Sequence, residues 1–179
     1  VIAEATAAAY HPFFEVLRSE PDVALTVHCS GSLLGWLREH AGKTFDLLGE
    51  LPASGRVELL TGGFYEPILP MLREPDKVGQ IQRLTEFLRV SFGVTPRGMW
   101  LAERVWEPQL PRALAAAGVE YVVVDDHHFA LAGLDPESVG GYFLTEDEGQ
   151  PLAVFPISER LRYLVPFADP RASLEYLES

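Results

Sequence analysis

Glu103 stands in a short segment between two tryptophans, an arrangement that suits chemistry on sugars. Trp100 and Trp106 offer apolar ring faces on which a sugar ring can stack, and a neighbouring carboxylate can attack or stabilise an oxocarbenium-like centre. The structural alternative is that Glu103 forms an ion pair with Arg104 or Arg97 and that both tryptophans belong to the core. Because ion pairs of that kind are also found near clefts, this segment alone does not identify a site.

A second segment with the same potential runs from Gly62 to Pro67 and contains Tyr65 and Glu66. Two consecutive glycines allow a tight turn that brings the backbone close to a ligand, with Tyr65 and Glu66 projecting above it. Gly-Gly pairs also mark ordinary turns, in which Phe64 would pack inward. The residues of this segment leave both interpretations open.

The run Asp125-Asp126-His127-His128 contains the carboxylate and imidazole groups that bind zinc and related ions. Consecutive residues at the end of a strand point in different directions, however, so few of them can share one ion. We therefore expect no bound divalent metal here and no cofactor. Lining a site or fixing a loop is the role that we predict for these four residues.

Apolar runs that alternate with helical patterns must position these segments. Strands are predicted at residues 23–27, 56–60, 98–101 and 121–124, the first of them buried, and a hairpin is predicted around residues 146–149. The main helices are predicted at residues 2–19, 44–51, 76–90 and 108–117, with a further helix capped by Ser30 and two short ones in the tail that ends at Ser179. Since the carboxyl ends of parallel strands share one face, we expect Glu66, Glu103 and Asp125 to open onto one cleft.

This alternation predicts an α/β fold in which parallel strands are covered by helices. A complete (β/α) barrel needs about 250 residues, so we interpret residues 1–179 as one partial barrel domain with at most four core strands and the hairpin. The sequence opens at Val1 inside a helical pattern, and we expect that the beginning of the natural protein is missing.

Composition and charge exclude several classes of partner. The chain carries 14 basic and 26 acidic residues, a net charge of −12, which opposes binding to nucleic acid or to an anionic membrane. Cys29 is the only cysteine, so neither an intrachain disulfide nor a thiolate zinc site can form, and we expect it to be buried rather than nucleophilic. No apolar run reaches the length of a membrane span, and we expect a cytoplasmic protein whose ligand is neutral and polar.

The order and spacing of the motifs at residues 27–34, 60–69 and 99–108 closely resemble glycoside hydrolase family 57, in particular its 4-α-glucanotransferase and α-amylase members. The most specific of them are Glu-Arg-Val-Trp-Glu-Pro at residues 103–108 and Gly-Gly-Phe-Tyr-Glu-Pro at residues 62–67. Residues 142–157 are similar to the same subgroup, so the resemblance covers nearly the whole chain.

The resemblance implies a retaining enzyme that acts on α-1,4-glucans or maltooligosaccharides, built on an incomplete seven-stranded (β/α) barrel. By position, Glu103 matches the nucleophile of the family, Glu66 a substrate-binding carboxylate and Trp100 an aromatic residue of the site. Three further residues are expected to contact substrate: Tyr65, Trp106 and Asp125.

The sequence departs from the family pattern at two places. The family's acid/base is an aspartate in a segment like Asp-Asp-Gly-Glu-Lys-Phe-Gly, which does not occur between Gly118 and Ser179, and a His-x-His strand is absent before Val1. We therefore interpret the chain as an internal, nucleophile-bearing portion of the catalytic domain. Two alternatives stay open: a metal-dependent polysaccharide deacetylase-like protein, and a catalytically silent carbohydrate-binding fragment. The choice between hydrolysis and transfer and the oligomeric state stay open as well.

Overall fold

Strands and helices alternate along most of the chain in the computed structural model, which describes residues 1–135 and 139–178. The strands are β1 (Leu25–His28), β2 (Val57–Leu60), β3 (Gly98–Trp100), β4 (Tyr121–Asp125), β5 (Phe143–Asp147) and β6 (Gln150–Ile157). The helices are α1 (Ile2–Ala5), α2 (His11–Ser19), α3 (Gly31–His40), α4 (Gly42–Glu50), α5 (Glu74–Phe92), α6 (Leu110–Ala116), α7 (His127–Leu131), α8 (Glu159–Leu164) and α9 (Pro170–Glu178). A π-helical turn, Thr6–Tyr10, joins α1 to α2, and 3₁₀ turns cover Leu51–Ser54, Leu69–Met71 and Ala102–Arg104.

Most of the predicted elements are confirmed at nearly their predicted positions. Ser30 caps α3, and its hydroxyl accepts a hydrogen bond from the Leu33 N–H at 3.2 Å. The predicted helices at residues 76–90 and 108–117 correspond to α5 and α6. The tail forms α8 and α9, while Ser179 lies outside the described residues. Within the described ranges, no helix combines the length and the apolar character needed to cross a membrane.

Five strands run parallel, one more than the four that the sequence analysis allows. β1 pairs with β2, and a second sheet has the order β3-β4-β6-β5. A bridge between Thr61 and Met99 joins the two groups. The extra parallel strand is β6, which pairs antiparallel with β5 and, on its other side, parallel with β4. The estimate of four core strands is therefore wrong.

The first strand also differs from its prediction. It begins at Leu25 rather than Val23, and both of these side chains are more than a third exposed (37% and 38%). Within the described residues β1 pairs only with β2, so its other edge has no neighbouring strand. The prediction of a buried first strand is wrong because apolar character indicates a buried strand only where both edges and both faces are covered.

Two hydrophobic cores support the sheet from its helical side. The first joins α2, α3 and α4 to β2, and the second joins α6 to β3, β4 and β6. Helix α5 contributes Leu84 and Leu88 to the first core and Ile81 to the second. Because side chains alternate along a strand, the residues between these core positions point to the opposite face of the sheet. The candidate site residues of β1, β3 and β4 (His28, Trp100 and Asp125) lie on that face.

Candidate active site

A cavity of about 470 Å³ lies on the face of the sheet opposite the helices and receives side chains from every parallel strand. It is lined by Thr26 and His28 of β1, Leu60 of β2, Trp100 of β3, Val123 of β4 and Ile157 of β6. Most of these residues stand at the carboxyl ends of their strands, which is the end where α/β enzymes bind ligands.

His28 and Glu66 form a close pair at one side of this cavity. The His28 Nε2 atom lies 2.5 Å from the Glu66 Oε1 atom, and the two side chains are 12% and 37% exposed. Glu66 has a left-handed backbone, with φ at 55°. The imidazole stacks beside Trp100, with ring centroids 6.3 Å apart and an interplanar angle of 21°. Glu66 lines a neighbouring pocket with His28, and Trp100 lines this cavity, so His28 stands between the carboxylate and the indole ring.

Glu103 follows β3 and has an exposed side chain on an unusual backbone, with φ at 53°. The ion pairs that the structural alternative requires do not form. Arg97 pairs instead with Glu120 at 2.6 Å, and the Arg104 Nε atom donates to Asp125 at 2.9 Å. Within the described part of the chain the Glu103 carboxylate has no hydrogen-bonding or ionic partner.

Asp125 ends β4 and is only 5% exposed. Its Oδ2 atom accepts from Arg104 and lies 3.9 Å from Arg162 of α8. Its Oδ1 atom is buried and has no partner among the described residues. The Arg104 guanidinium lies 5.6 Å from the centre of the Trp100 ring, so Asp125 is linked to Trp100 through this arginine.

Tyr65 and Trp106 lie away from the cavity beside Trp100. The Tyr65 ring packs on Phe64 at 4.9 Å, and its centre lies 5.0 Å from the Arg83 guanidinium of α5. Trp106 packs against the second core and lines a separate apolar pocket of about 260 Å³ beside His128. His28 thus links Glu66 to Trp100, and Arg104 links Trp100 to Asp125. Tyr65 and Trp106 lie on other surfaces.

Three polar residues of this region are not among the predicted site residues: His28, Arg104 and Arg162. His28 directly follows the first predicted strand, so its position was a usable signal. Arg104 follows the third predicted strand, so its position at this face is also indicated by the sequence. Arg162 follows β6, whose parallel pairing with β4 is not indicated by the local sequence pattern.

Within residues 1–135 and 139–178, no group of three or more His, Cys, Asp or Glu residues is placed to hold a metal ion. In the run at residues 125–128, Asp125 binds arginine and the His128 Nε2 atom bonds to the Arg104 carbonyl at 3.1 Å. Cys29, next to His28, has a thiol whose pKa is raised to about 12, first by burial and then by the Glu66 charge.

The curated relatives most similar to this chain include an alpha-amylase and a 4-alpha-glucanotransferase. The chain is 49% identical over 178 residues to alpha-amylase 1 of Dictyoglomus thermophilum, which covers 99% of this chain and 26% of that protein. It is 45% identical over 179 residues to the 4-alpha-glucanotransferase of Thermococcus kodakarensis, covering 100% of this chain and 27% of the relative. The chain therefore spans about a quarter of the length of the curated relatives it matches.

A solved structure agrees with this assignment. The crystal structure of the 4-alpha-glucanotransferase from Thermococcus litoralis superposes with a TM-score of 0.94 at 44% identity, over 99% of this chain and 28% of that one. A family model described as Glycosyl hydrolase family 57 matches residues 3–178. Because that match extends over nearly all of the sequence, the chain belongs to glycosyl hydrolase family 57.

Proposed function

We propose that this chain is the nucleophile-bearing part of a retaining enzyme that acts on α-1,4-glucans, with Glu103 as the nucleophile. The main support for this proposal is the environment of Glu103. Its carboxylate is exposed and has no partner within the described residues, and its backbone has φ at 53°. A non-glycine residue in this region costs about 1–3 kcal/mol, and such strain is concentrated at functional sites. At Glu103 this backbone comes together with an exposed carboxylate directly beyond β3, outside any hairpin turn.

In the first chemical step, a Glu103 oxygen attacks the anomeric carbon as the glycosidic C–O bond breaks and an acid protonates the leaving oxygen. In the second step, water or the hydroxyl of another glucan attacks that carbon, gives its proton to the same acid/base and releases Glu103. The two carboxyl groups of such a site stand about 5–5.5 Å apart. Water as acceptor gives hydrolysis, and a glucan acceptor gives transfer.

We further propose that the second carboxyl group belongs to a part of the gene product that this sequence does not include. The expected Asp-Asp-Gly-Glu-Lys-Phe-Gly segment does not occur in these 179 residues, which span about a quarter of the relatives' length. The five parallel strands would then form part of an incomplete seven-stranded barrel.

Glu66, His28 and Trp100 are the residues that we propose to hold the glucan beside Glu103. A carboxylate can accept hydrogen bonds from sugar hydroxyls, and an indole ring provides an apolar surface for the sugar ring. His28 keeps Glu66 in place through the 2.5 Å contact between them. The family assignment favours neither the deacetylase-like alternative nor the silent carbohydrate-binding fragment.

Glu103→Gln in the complete gene product tests this proposal. The amide keeps the size of the side chain but is a poor nucleophile, so turnover of maltoheptaose should fall by more than about 10³-fold while the protein stays folded. Glucose release and redistribution of chain length should be followed together, because their ratio separates hydrolysis from transfer. Glu107→Gln is the matched control, since Glu107 is also exposed and lies in the same segment.

Chemical rescue makes the test specific for the role of Glu103. In the Glu103→Ala variant, azide can enter the vacated space and attack the anomeric carbon of an α-maltooligosaccharyl fluoride, displacing fluoride and giving a β-glycosyl azide. Formation of that β-azide by Glu103→Ala, and not by a Glu107→Ala variant, would support the assignment. An active Glu103→Gln enzyme would show that the nucleophile is another residue.

A further inference from the structure

Two consecutive residues of the candidate site have left-handed backbone. Glu103 and Arg104 both have φ at 53°, and neither is glycine. Residues with a Cβ atom disfavour left-handed backbone, so they adopt it only where surrounding contacts hold them there.

Arg104 is tied to the protein at three points. Its N–H donates to the Leu101 carbonyl at 2.8 Å, and its side-chain Nε donates to the Asp125 Oδ2 atom at 2.9 Å. Its carbonyl oxygen lies 3.1 Å from the His128 Nε2 atom. Because a carbonyl can only accept a hydrogen bond, that contact requires the proton of the imidazole on Nε2.

The groups that hold Arg104 belong to well-packed elements. Asp125 ends β4 within the sheet, in register with Ile157 of β6, and is 5% exposed. His128 lies on α7, which follows β4 directly and is anchored by the buried Phe129. Glu103 has no comparable contact of its own in the described residues, so its orientation depends on the residue after it.

We propose that Asp125 and His128 are positioning residues that hold the Glu103 carboxylate in its reactive place by clamping Arg104. This inference rests on the proposed role of Glu103 as nucleophile and adds two residues that act through a third. It also revises the prediction that Asp125 binds substrate. The Asp125 Oδ2 atom already accepts a hydrogen bond from Arg104, and the Oδ1 atom is buried. A misplacement of about 1 Å at a reacting group can cost about 10²-fold in rate.

Asp125→Asn in the complete gene product gives the first test, because the amide keeps the shape but weakens the bond to Arg104. We expect kcat on maltoheptaose to fall by about 10²-fold with KM changed by less than about threefold. Glu120→Gln is the matched control, since it weakens the same type of bond, to Arg97, on an exposed part of the chain. That control should leave both constants unchanged.

The second test uses the rate at which an activated fluorosugar, 5-fluoro-α-glucosyl fluoride, labels Glu103, measured by mass spectrometry. The labelling rate reports the nucleophile directly and should fall in parallel with kcat. His128→Ala should lower it by about 10-fold, whereas His128→Gln, which keeps an N–H donor at a similar reach, should restore most of it. A purely structural role would not be rescued selectively in the labelling rate.

The Glu103 variant tests the proposed function, and the Asp125 and His128 variants test the positioning role. Glu103→Gln with normal activity would overturn the function. If Glu103→Gln is inactive but Asp125→Asn and His128→Ala keep kcat and the labelling rate within twofold of wild type, only the positioning role of Asp125 and His128 is overturned. A rise in KM without a fall in kcat for Asp125→Asn would restore the prediction that Asp125 binds substrate. If Asp125→Asn does not fold, the His128→Ala and His128→Gln pair decides alone.

Discussion

At Gly62 the absence of a side chain determines where His28 can lie. A Cβ atom at this position would stand 2.6 Å from the His28 Cε1 atom and 3.2 Å from the Trp100 carbonyl oxygen. The contact under 3.0 Å would force the His28 ring to move, because the added atom could not retreat from it without approaching other neighbours such as the Trp100 carbonyl. Glycine at this position is thus a requirement of the His28–Glu66 pair.

Gly62→Ala should therefore weaken glucan binding. We expect a loss of about 1–3 kcal/mol in the free energy of unfolding from overpacking. Displacement of His28 from Glu66 should raise the Kd for a maltooligosaccharide by about 3–10-fold, the equivalent of one lost hydrogen bond. Calorimetric titration and thermal unfolding of the complete protein measure both. Gly35→Ala is the control, because nothing lies within 4 Å of its added Cβ atom, and it should leave the affinity unchanged.

Cys29 should be an unreactive thiol. Burial, and then the Glu66 charge, raises its pKa to about 12, so at pH 8 the thiolate fraction is on the order of 10⁻⁴. Modification by Ellman's reagent should be at least about 10³-fold slower in the folded than in the unfolded protein. Glu66→Gln removes the second cause and should speed the reaction modestly. Rapid modification of the folded wild type at pH 8 would contradict the prediction.

The raised pKa of Cys29 also predicts how the free energy of unfolding changes with pH. The folded protein holds the thiol proton to higher pH than the unfolded chain, whose cysteine titrates at about 8.5. The contribution of Cys29 to the free energy of unfolding is therefore constant below about pH 8.5 and falls as pH rises toward 12. A Cys29→Ala variant should lack this decline.

The sequence predicts where the candidate site residues lie along the chain, but it does not predict which side chains pair with them. Trp100 ends β3, and Glu66 and Glu103 lie in the loops that follow β2 and β3, so the sequence pattern could bring them to the carboxyl ends of strands. The pairing of Arg104 with Asp125 could not, because it depends on left-handed backbone at Glu103 and Arg104, which neither residue type favours.

At the scale of elements, the turn that joins β5 to β6 sets the position of a parallel strand. Glu148 and Gly149 form this two-residue turn, and both have positive φ, at 49° and 77°. Positive φ at both positions is typical of a type I′ turn, whose twist matches that of the paired strands. The register Asp147↔Gln150 follows from the turn, and β6 then extends along β4.

Gly149→Ala should destabilise the protein by about 1–2 kcal/mol, because alanine disfavours left-handed backbone. Gly79→Ala is the matched substitution on the exposed side of α5, where nothing lies within 4 Å of the added Cβ atom. It should stabilise by about 0.8–1 kcal/mol through helix propensity. Urea unfolding measures both changes, and two changes of the same sign would contradict these roles for the two glycines.

The parallel pairing of β6 with β4 could not be predicted from the sequence pattern of β6 itself. Its alternating burial, with Leu152 and Val154 inward, resembles that of any hairpin strand. Nothing local in residues 150–157 indicates a parallel partner, because β4 lies 25 or more residues earlier in the sequence. The error at β1 has the same origin, since burial of a strand depends on neighbours that are distant in sequence.

At the scale of the whole molecule, the candidate site lies across a junction between two cores. His28 and Glu66 belong to the part built around the first core, and Trp100, Glu103 and Asp125 to the part built around the second. The strand groups meet at Thr61, whose N–H donates to the Gly98 carbonyl and whose carbonyl accepts from the Trp100 N–H, both at 2.9 Å. If a glucan is held by both parts, as we propose, this junction must be rigid.

Thr61 also stabilises the junction through its side chain. The residue is 1% exposed, and its hydroxyl lies 2.8 Å from the Thr85 hydroxyl of α5, the helix that contributes to both cores. Thr61→Val keeps the shape and the backbone bridge but leaves the Thr85 hydroxyl without this partner. We expect a cost of about 1 kcal/mol in the free energy of unfolding.

The local effect of Thr61→Val should exceed the global one. Amide hydrogen exchange at Trp100, whose N–H bonds to the Thr61 carbonyl, should accelerate, while exchange in the β4–β6 pair should change only by the global loss of stability. Binding of maltooligosaccharides should weaken as the two halves of the site move relative to each other. Thr61→Ser restores the hydroxyl and should return the exchange of Trp100 to nearly the wild-type rate. Uniform acceleration across both sheets, unchanged by serine, would show that Thr61 contributes only packing and that the junction is held elsewhere.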